Sequence, residues 1–141
     1  MSQQNNAFDP NCIATITNTN ITLKEKNSKV NFYNPKRKRV TKVWVDNCQI
    51  QQGKRCDYLL LSEKEYFVEL KGNKVKEGIE QIERSIPLLS QNPQKEAKKC
   101  FVISQKVPKA STRLQNKKTP FKKNFNADLF VKNKSHEEEI K

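Results

Sequence analysis

Three residues in the stretch RCDYLLLSEKEYFVELKG (55–72) carry the chemistry of this chain: Asp57, Glu69 and Lys71. They stand inside or at the ends of an apolar run, where charged side chains are rarely buried without a partner. If residues 65–71 form a strand, Glu69 and Lys71 leave it on one face, because side chains two apart do so. A hairpin turning about Glu63 sets Asp57 opposite Glu69. A turn centre displaced by half a residue sends Asp57 to the other face. Two carboxylates meeting from neighbouring strands offer hard oxygen donors suited to Mg²⁺ or Mn²⁺. An ion so held polarises a phosphoryl oxygen and lowers the pKa of a bound water. A lysine beside it orients that water or offsets charge on the phosphorus. The plainer reading is a solvated strand face, since a Glu and a Lys two apart are common on exposed strands.

The elements that must position these residues follow from apolar periodicity. TKVWVDNCQI (41–50) alternates in part and reads as a strand, followed by a turn at QQGK with Gly53. CDYLLLS (56–62) and EYFVELK (65–71) read as two more strands, the second rich in aromatic and β-branched residues. The link SEK is short enough for a hairpin, giving a meander in which Tyr66, Val68 and Leu70 enter the core beneath a following helix. In NKVKEGIEQIERSIPLL, the residues Val75, Ile79, Ile82, Ile86 and Leu89 make a stripe on one helical face. Asn73 is a suitable N-cap, and Pro87 is expected to end or kink the helix near Ile86. KCFVISQ (99–105) is a strand that a crossover lays parallel to the one before the helix. The basic, proline-punctuated segment 106–126 reads as a loop, ADLFVKN as an edge strand, and SHEEEIK as a polar tail. Residues 1–20 read as a loose arm or edge segment. ITLKEKNSKVNFYNP is compatible with a short helix or strand. The expectation is one α/β domain over 1–141, with a mixed sheet, a core over 40–105 and basic flanks at 1–40 and 106–141.

The motif and the order of elements together resemble the PD-(D/E)xK nuclease superfamily, which includes restriction endonucleases and Holliday-junction resolvases. Asp57, then eleven residues, then Glu69-Leu70-Lys71 follow that pattern, with Cys56 where the family has proline. The resemblance spans about residues 40–105. It implies a restriction-endonuclease-like core and Mg²⁺- or Mn²⁺-dependent hydrolysis of DNA. It further implies Asp57 and Glu69 as metal ligands, Lys71 as the catalytic lysine, and Gln81 as the glutamine some members supply from the next helix. Gln81 lies about 120° from the centre of the apolar stripe, on the side of Gly78 and Ser85. Many members place a further acid on a helix before the sheet, and Glu25 is the only early glutamate. Asp46 is a candidate additional acid near the pair. A homodimer would let two sites cut two strands.

Composition agrees with a polyanionic partner. The 141 residues carry a net charge of +13, which favours nucleic acid over other partners. Residues 1–41 hold seven Lys and Arg against two acids, and residues 95–135 hold twelve against two. The candidate phosphate contacts are Lys36, Arg37, Lys38 and Arg39 in KRKR, and Lys117, Lys118, Lys122 and Lys123 around Phe121 and Phe125. Trp44 reads as core or interface rather than a stacking platform.

No segment is apolar enough for a membrane span, and the start MSQQNNAFDPN is unlike a secretory leader, so a cytoplasmic protein is expected. Cys12, Cys48, Cys56 and Cys100 form no CxxC pair, and the lone His136 lies in a polar segment. A zinc site is not expected, and the cysteines read as reduced thiols. Two alternatives stand beside the nuclease: a non-catalytic nucleic-acid-binding module, and a basic inhibitor or interaction protein acting on a nucleic-acid enzyme.

Overall fold

A computed structural model of the chain describes residues 8–70, 74–105 and 112–141. Alternation of apolar and polar residues builds its strands in three places. A short 3₁₀ turn, Pro10–Cys12, leads into β1, Ile13–Ile16. Next come the hairpin of β2, Asn20–Glu25, and β3, Ser28–Tyr33, which sends Ile21, Leu23, Val30 and Phe32 inward. The meander expected from the sequence follows as β4, Val40–Trp44, β5, Tyr58–Leu61, and β6, Glu65–Glu69, all antiparallel. Helix α1, Val75–Leu89, crosses to β7, Lys98–Ser104, which lies parallel to β6. Helix α2, Thr112–Phe125, crosses again to β8, Ala127–Asn133, parallel to β7, and β9, Ser135–Glu139, completes the described chain.

These elements form three layers. A six-stranded mixed sheet, in the order β1-β4-β5-β6-β7-β8, has α1 and α2 on one face. A three-stranded sheet, β2-β3-β9, covers the other. The fold is therefore the α/β mixed-sheet class expected. Val75, Ile79, Ile82, Ile86 and Leu89 of α1 pack on Leu59, Phe67, Cys100 and Val102. Tyr66, Val68 and Leu70 do not lie beneath the helix as expected. They face the small sheet and pack with Leu23, Val30 and Phe32. Alternation separates the two faces of β6 but does not say which one receives the helix. The face of Glu65, Phe67 and Glu69 is the one under α1.

Other expectations are corrected for identifiable reasons. The basic segment is helical over Thr112–Phe125, with Pro120 inside. Its anchor is Phe121, fully buried and edge-on to Phe125 at 5.8 Å. The polar tail is β9, paired in parallel with β3. It is held by Ile140, which is buried, and by Glu138, whose carboxylate meets Lys99 at 2.6 Å. Pro87 neither ends nor breaks α1 at Ile86. The helix runs to Leu89, where the Ser90 N–H donates to the Ile86 carbonyl at 2.9 Å. Cys12 and Cys48 are not reduced thiols: they form a disulfide with their Cα atoms 5.7 Å apart, an ordinary span. Cys56 and Cys100 are buried free thiols. Asn73, the expected N-cap, lies outside the described residues. No described helix is long and apolar enough to cross a membrane.

Candidate functional site

The hairpin register decides where Asp57 stands. β5 and β6 pair from Leu61↔Glu65 to Tyr58↔Val68, so the turn is centred on Glu63. This odd register carries Asp57 to the level of Glu69. Asp57 then leaves the regular ladder. Its N–H donates to the Val68 carbonyl at 3.0 Å, and its carbonyl accepts from both Val45 and Asp46 N–H, at 3.1 and 3.4 Å. Two donors on one acceptor mark a bulge at Val45 and Asp46, opposite Asp57. The Asp57 carboxylate turns to the end of β6, where Oδ2 accepts the Leu70 N–H at 2.8 Å. Asp57 and Glu69 are 3% and 1% exposed, so this is a buried pair of acids and not a solvated strand face.

Helix α1 closes over the pair at a glycine. A Cβ on Gly78 would lie 2.8 Å from Val102 Cγ1 and 3.3 Å from Glu69 Cγ. Only a residue without a side chain lets the helix approach Glu69 this closely. Two helical turns further, Ser85 accepts the Cys56 N–H at 2.9 Å and donates its own hydroxyl to the Gln81 carbonyl at 2.8 Å. Gln81 is half-buried on the column between Gly78 and Ser85, the column that touches the two strands of the pair. Arg84 holds the loop before Asp57 by donating to the carbonyls of Gln52 and Lys54 at 3.1 and 2.6 Å. That loop turns at Gly53, whose φ of 82° suits glycine. Burial pushes the Cys56 thiol up to about 12, helped by the nearby Glu69 and Asp57 charges, so it is no nucleophile.

Asp46 is at the same end of the sheet, half-buried and bridged to Arg55 at 2.7 Å. The same guanidinium donates to Asn47 Oδ1 at 2.7 Å and to the Gly53 carbonyl at 2.8 Å. Asp46 thus fastens the loop after β4 to the strand that bears Asp57. Glu25 ends a strand, β2, and not a helix. Its charge still reaches the site: burial, then Glu25, Asp57 and Asp46 together raise the Tyr58 hydroxyl pKa. Nothing local in the sequence places Glu25 there, because β2 belongs to the other sheet. Lys71 lies outside the described residues.

The basic segments do not frame the carboxylates. Lys36, Arg37, Lys38 and Arg39 sit between β3 and β4, and Lys38 bonds Glu63 at 3.3 Å, at the hairpin tip. Six strand residues separate that tip from Asp57, about 20 Å. Lys122 and Lys123 end α2 beside the start of β8, with Lys122 3.4 Å from Asp128. That is the opposite end of the sheet from Glu69. Lys117 bonds Glu83 of α1 at 3.9 Å, and Lys118 is half-buried beside it. Exposed Lys74 and Lys76, at the start of α1, are at the carboxylate end. A second buried charge pair, Glu65 with Lys98 at 3.9 Å, is at the far end. Lys98 donates to the carbonyls of Asn92, Glu96 and Phe125, which makes it a structural pin.

Among the described residues no group of three or more His, Cys, Asp and Glu side chains forms a metal cage. A metal here would take two protein carboxylates, with water and substrate completing its shell. No protein family, curated protein or solved structure matches the chain.

Proposed function

We propose that this chain hydrolyses phosphodiester bonds in nucleic acid, DNA foremost, with a divalent cation held by Asp57 and Glu69. The observation that carries the reading is the buried carboxylate pair at one end of the β5–β6 ladder, centred on Glu63. Two buried carboxylates at one level of neighbouring strands offer oxygen donors from both sides to a single small cation. The donor set suits Mg²⁺, which takes one or two carboxylates and keeps waters and phosphate oxygens for the rest. The ion's chemistry is to polarise the scissile phosphate and acidify a water.

The chain's own residues do the remainder. The bond from the Leu70 N–H fixes the Asp57 carboxylate, and the close passage of Gly78 fixes that of Glu69. Lys71, two residues beyond Glu69, would supply a positive charge for the developing oxyanion. Gln81, on the column of α1 that touches both strands, would orient water or substrate. The order β4-β5-β6-α1-β7 agrees with the core that the PD-(D/E)xK resemblance implies. The net charge of +13 supplies long-range attraction to a phosphate backbone. A homodimer cutting both strands belongs to the same proposal. The Cys12–Cys48 bridge favours an oxidising setting and pulls against the cytoplasmic one.

The test is plasmid nicking by purified protein in Mg²⁺ or Mn²⁺, with an EDTA arm and a Lys71→Ala arm of verified fold. Metal-dependent nicking that Lys71→Ala abolishes supports the reading. Wild type and variant both inert, yet both binding DNA, would leave the non-catalytic binding module.

A further inference from the structure

A second feature at the carboxylate end has no part in the metal pair. Trp44 is the sole tryptophan, and it stays 37% exposed although it ends a strand of the central sheet. Its register partner across the ladder is Tyr58, itself half-buried. Lys42, two residues before Trp44, shares their face and sets its ammonium 4.4 Å from the Trp44 ring centroid and 5.1 Å from that of Tyr58. The small sheet meets this face at β7 through β3, and Trp44 at the end of β4 keeps 37% of its surface exposed. Asp57 immediately precedes Tyr58, and the Val45 N–H that follows Trp44 bonds the Asp57 carbonyl. The two rings and the lysine are therefore at the same end of the sheet as Asp57 and Glu69, on the face opposite the one Glu69 presents to α1.

We infer that Lys42, Trp44 and Tyr58 form a stacking platform for an unpaired nucleotide base, on the face of the sheet opposite Glu69. The platform is independent of catalysis. The chemistry matches such a base. Paired aromatic faces with an interposed cation bind any base, because every base has a π face. Stacked inside a duplex, a base cannot reach two rings lying on a sheet. The neighbouring acids Asp46, Asp57 and Glu25 repel a bare phosphate from Tyr58 but not an uncharged base. Lys42 is half-buried over the rings, and burial lowers its pKa. A base that takes its place frees the ammonium for the adjoining phosphate.

Because Trp44 is unique, its fluorescence reports the platform directly. The probes are a ten-residue oligothymidylate and a mixed-sequence duplex, both titrated in EDTA so that nothing is cut. The single strand is expected to quench Trp44 saturably, and the duplex to bind with little quenching. Trp44→Ala, followed by anisotropy of a labelled strand, should bind about 10- to 100-fold more weakly, the loss of one stacked base. Trp44→Phe should recover most of that loss. Lys42→Ala should lower the slope of log affinity against log salt by about one. Equal quenching by duplex, or a Trp44→Ala chain that binds the single strand as tightly as wild type, overturns the inference. Should Trp44→Ala fail to fold, the wild-type quenching comparison decides alone. If plasmid nicking is absent but the single strand still quenches Trp44, the nuclease reading fails and the platform stands. If nicking persists and Trp44 does not respond, only the platform fails.

Discussion

Asp57 and Glu69 are buried at the same level of the β5–β6 ladder, in a layer that is otherwise apolar. Asp57→Asn and Glu69→Gln each remove one carboxylate of the pair at nearly unchanged size. Asn keeps an oxygen for the Leu70 N–H, so this substitution preserves the bond at the end of β6. With Mg²⁺ at about 100 times its dissociation constant, wild type should gain about 2.7 kcal/mol and the variants should gain little. Calorimetric scans with and without Mg²⁺ separate the two cases; equal shifts in all three proteins would place the ion elsewhere. At this scale the sequence was informative. The positions of Asp57 and Glu69 followed from alternation plus one turn centre, and the turn centre is Glu63. Glu25 was not legible as a neighbour of Tyr58, because a contact between two sheets leaves no local pattern.

At the scale of elements, Gly78 is where α1 and β6 meet. Gly78→Ala would gain about 1 kcal/mol of helix propensity. It must also push a methyl against Val102 and Glu69, an overpacking that costs about 1–3 kcal/mol. A net loss of stability, with a larger fall in cleavage as Glu69 is displaced, is the expected result; an unchanged melting temperature would mean the helix can ride away from the sheet. Glu65 gives a pH dependence at the other end of β6. Burial raises its carboxyl pKa above 4.5, although Ser90, Gln91 and Lys98 partly offset this. A raised folded pKa means the contribution is full below the unfolded pKa and is lost as pH rises through the folded one. Stability should thus decline upward from about pH 4.5, and Glu65→Gln should flatten that component, as urea midpoints across pH would show. The meander, α1 and β7 were legible because each carries its own apolar period. α2 was not, because lysines and Pro120 obscure its few anchors, and β9 was not, because its partner β3 lies about a hundred residues away in sequence.

The whole molecule is a basic body whose charge is spread over ends and faces remote from the carboxylates. KRKR and the end of α2 lie at the opposite end of the sheet from Glu69, so they would contact backbone at a distance from the carboxylates. Affinity for DNA should accordingly fall steeply with salt, whereas quenching of Trp44 should respond mainly to whether the strand is single. The Cys12–Cys48 bridge ties the N-terminal segment to the loop after β4. Closing a loop of 36 residues is worth about 4 kcal/mol in the chain-entropy view. Reduction should therefore lower the melting temperature by about 10 °C, measured with and without a reductant; no change would show that the tie adds nothing to the fold. Spacing alone could not reveal this pair, since the β1–β4 pairing brings the two cysteines together.

The most direct test of the central claim is anomalous scattering from crystals grown with Mn²⁺. The account predicts one strong peak bonded to a carboxylate oxygen of both Asp57 and Glu69, lost in Glu69→Gln. A peak away from this pair, or none beside it while the same protein still cleaves DNA, would contradict it.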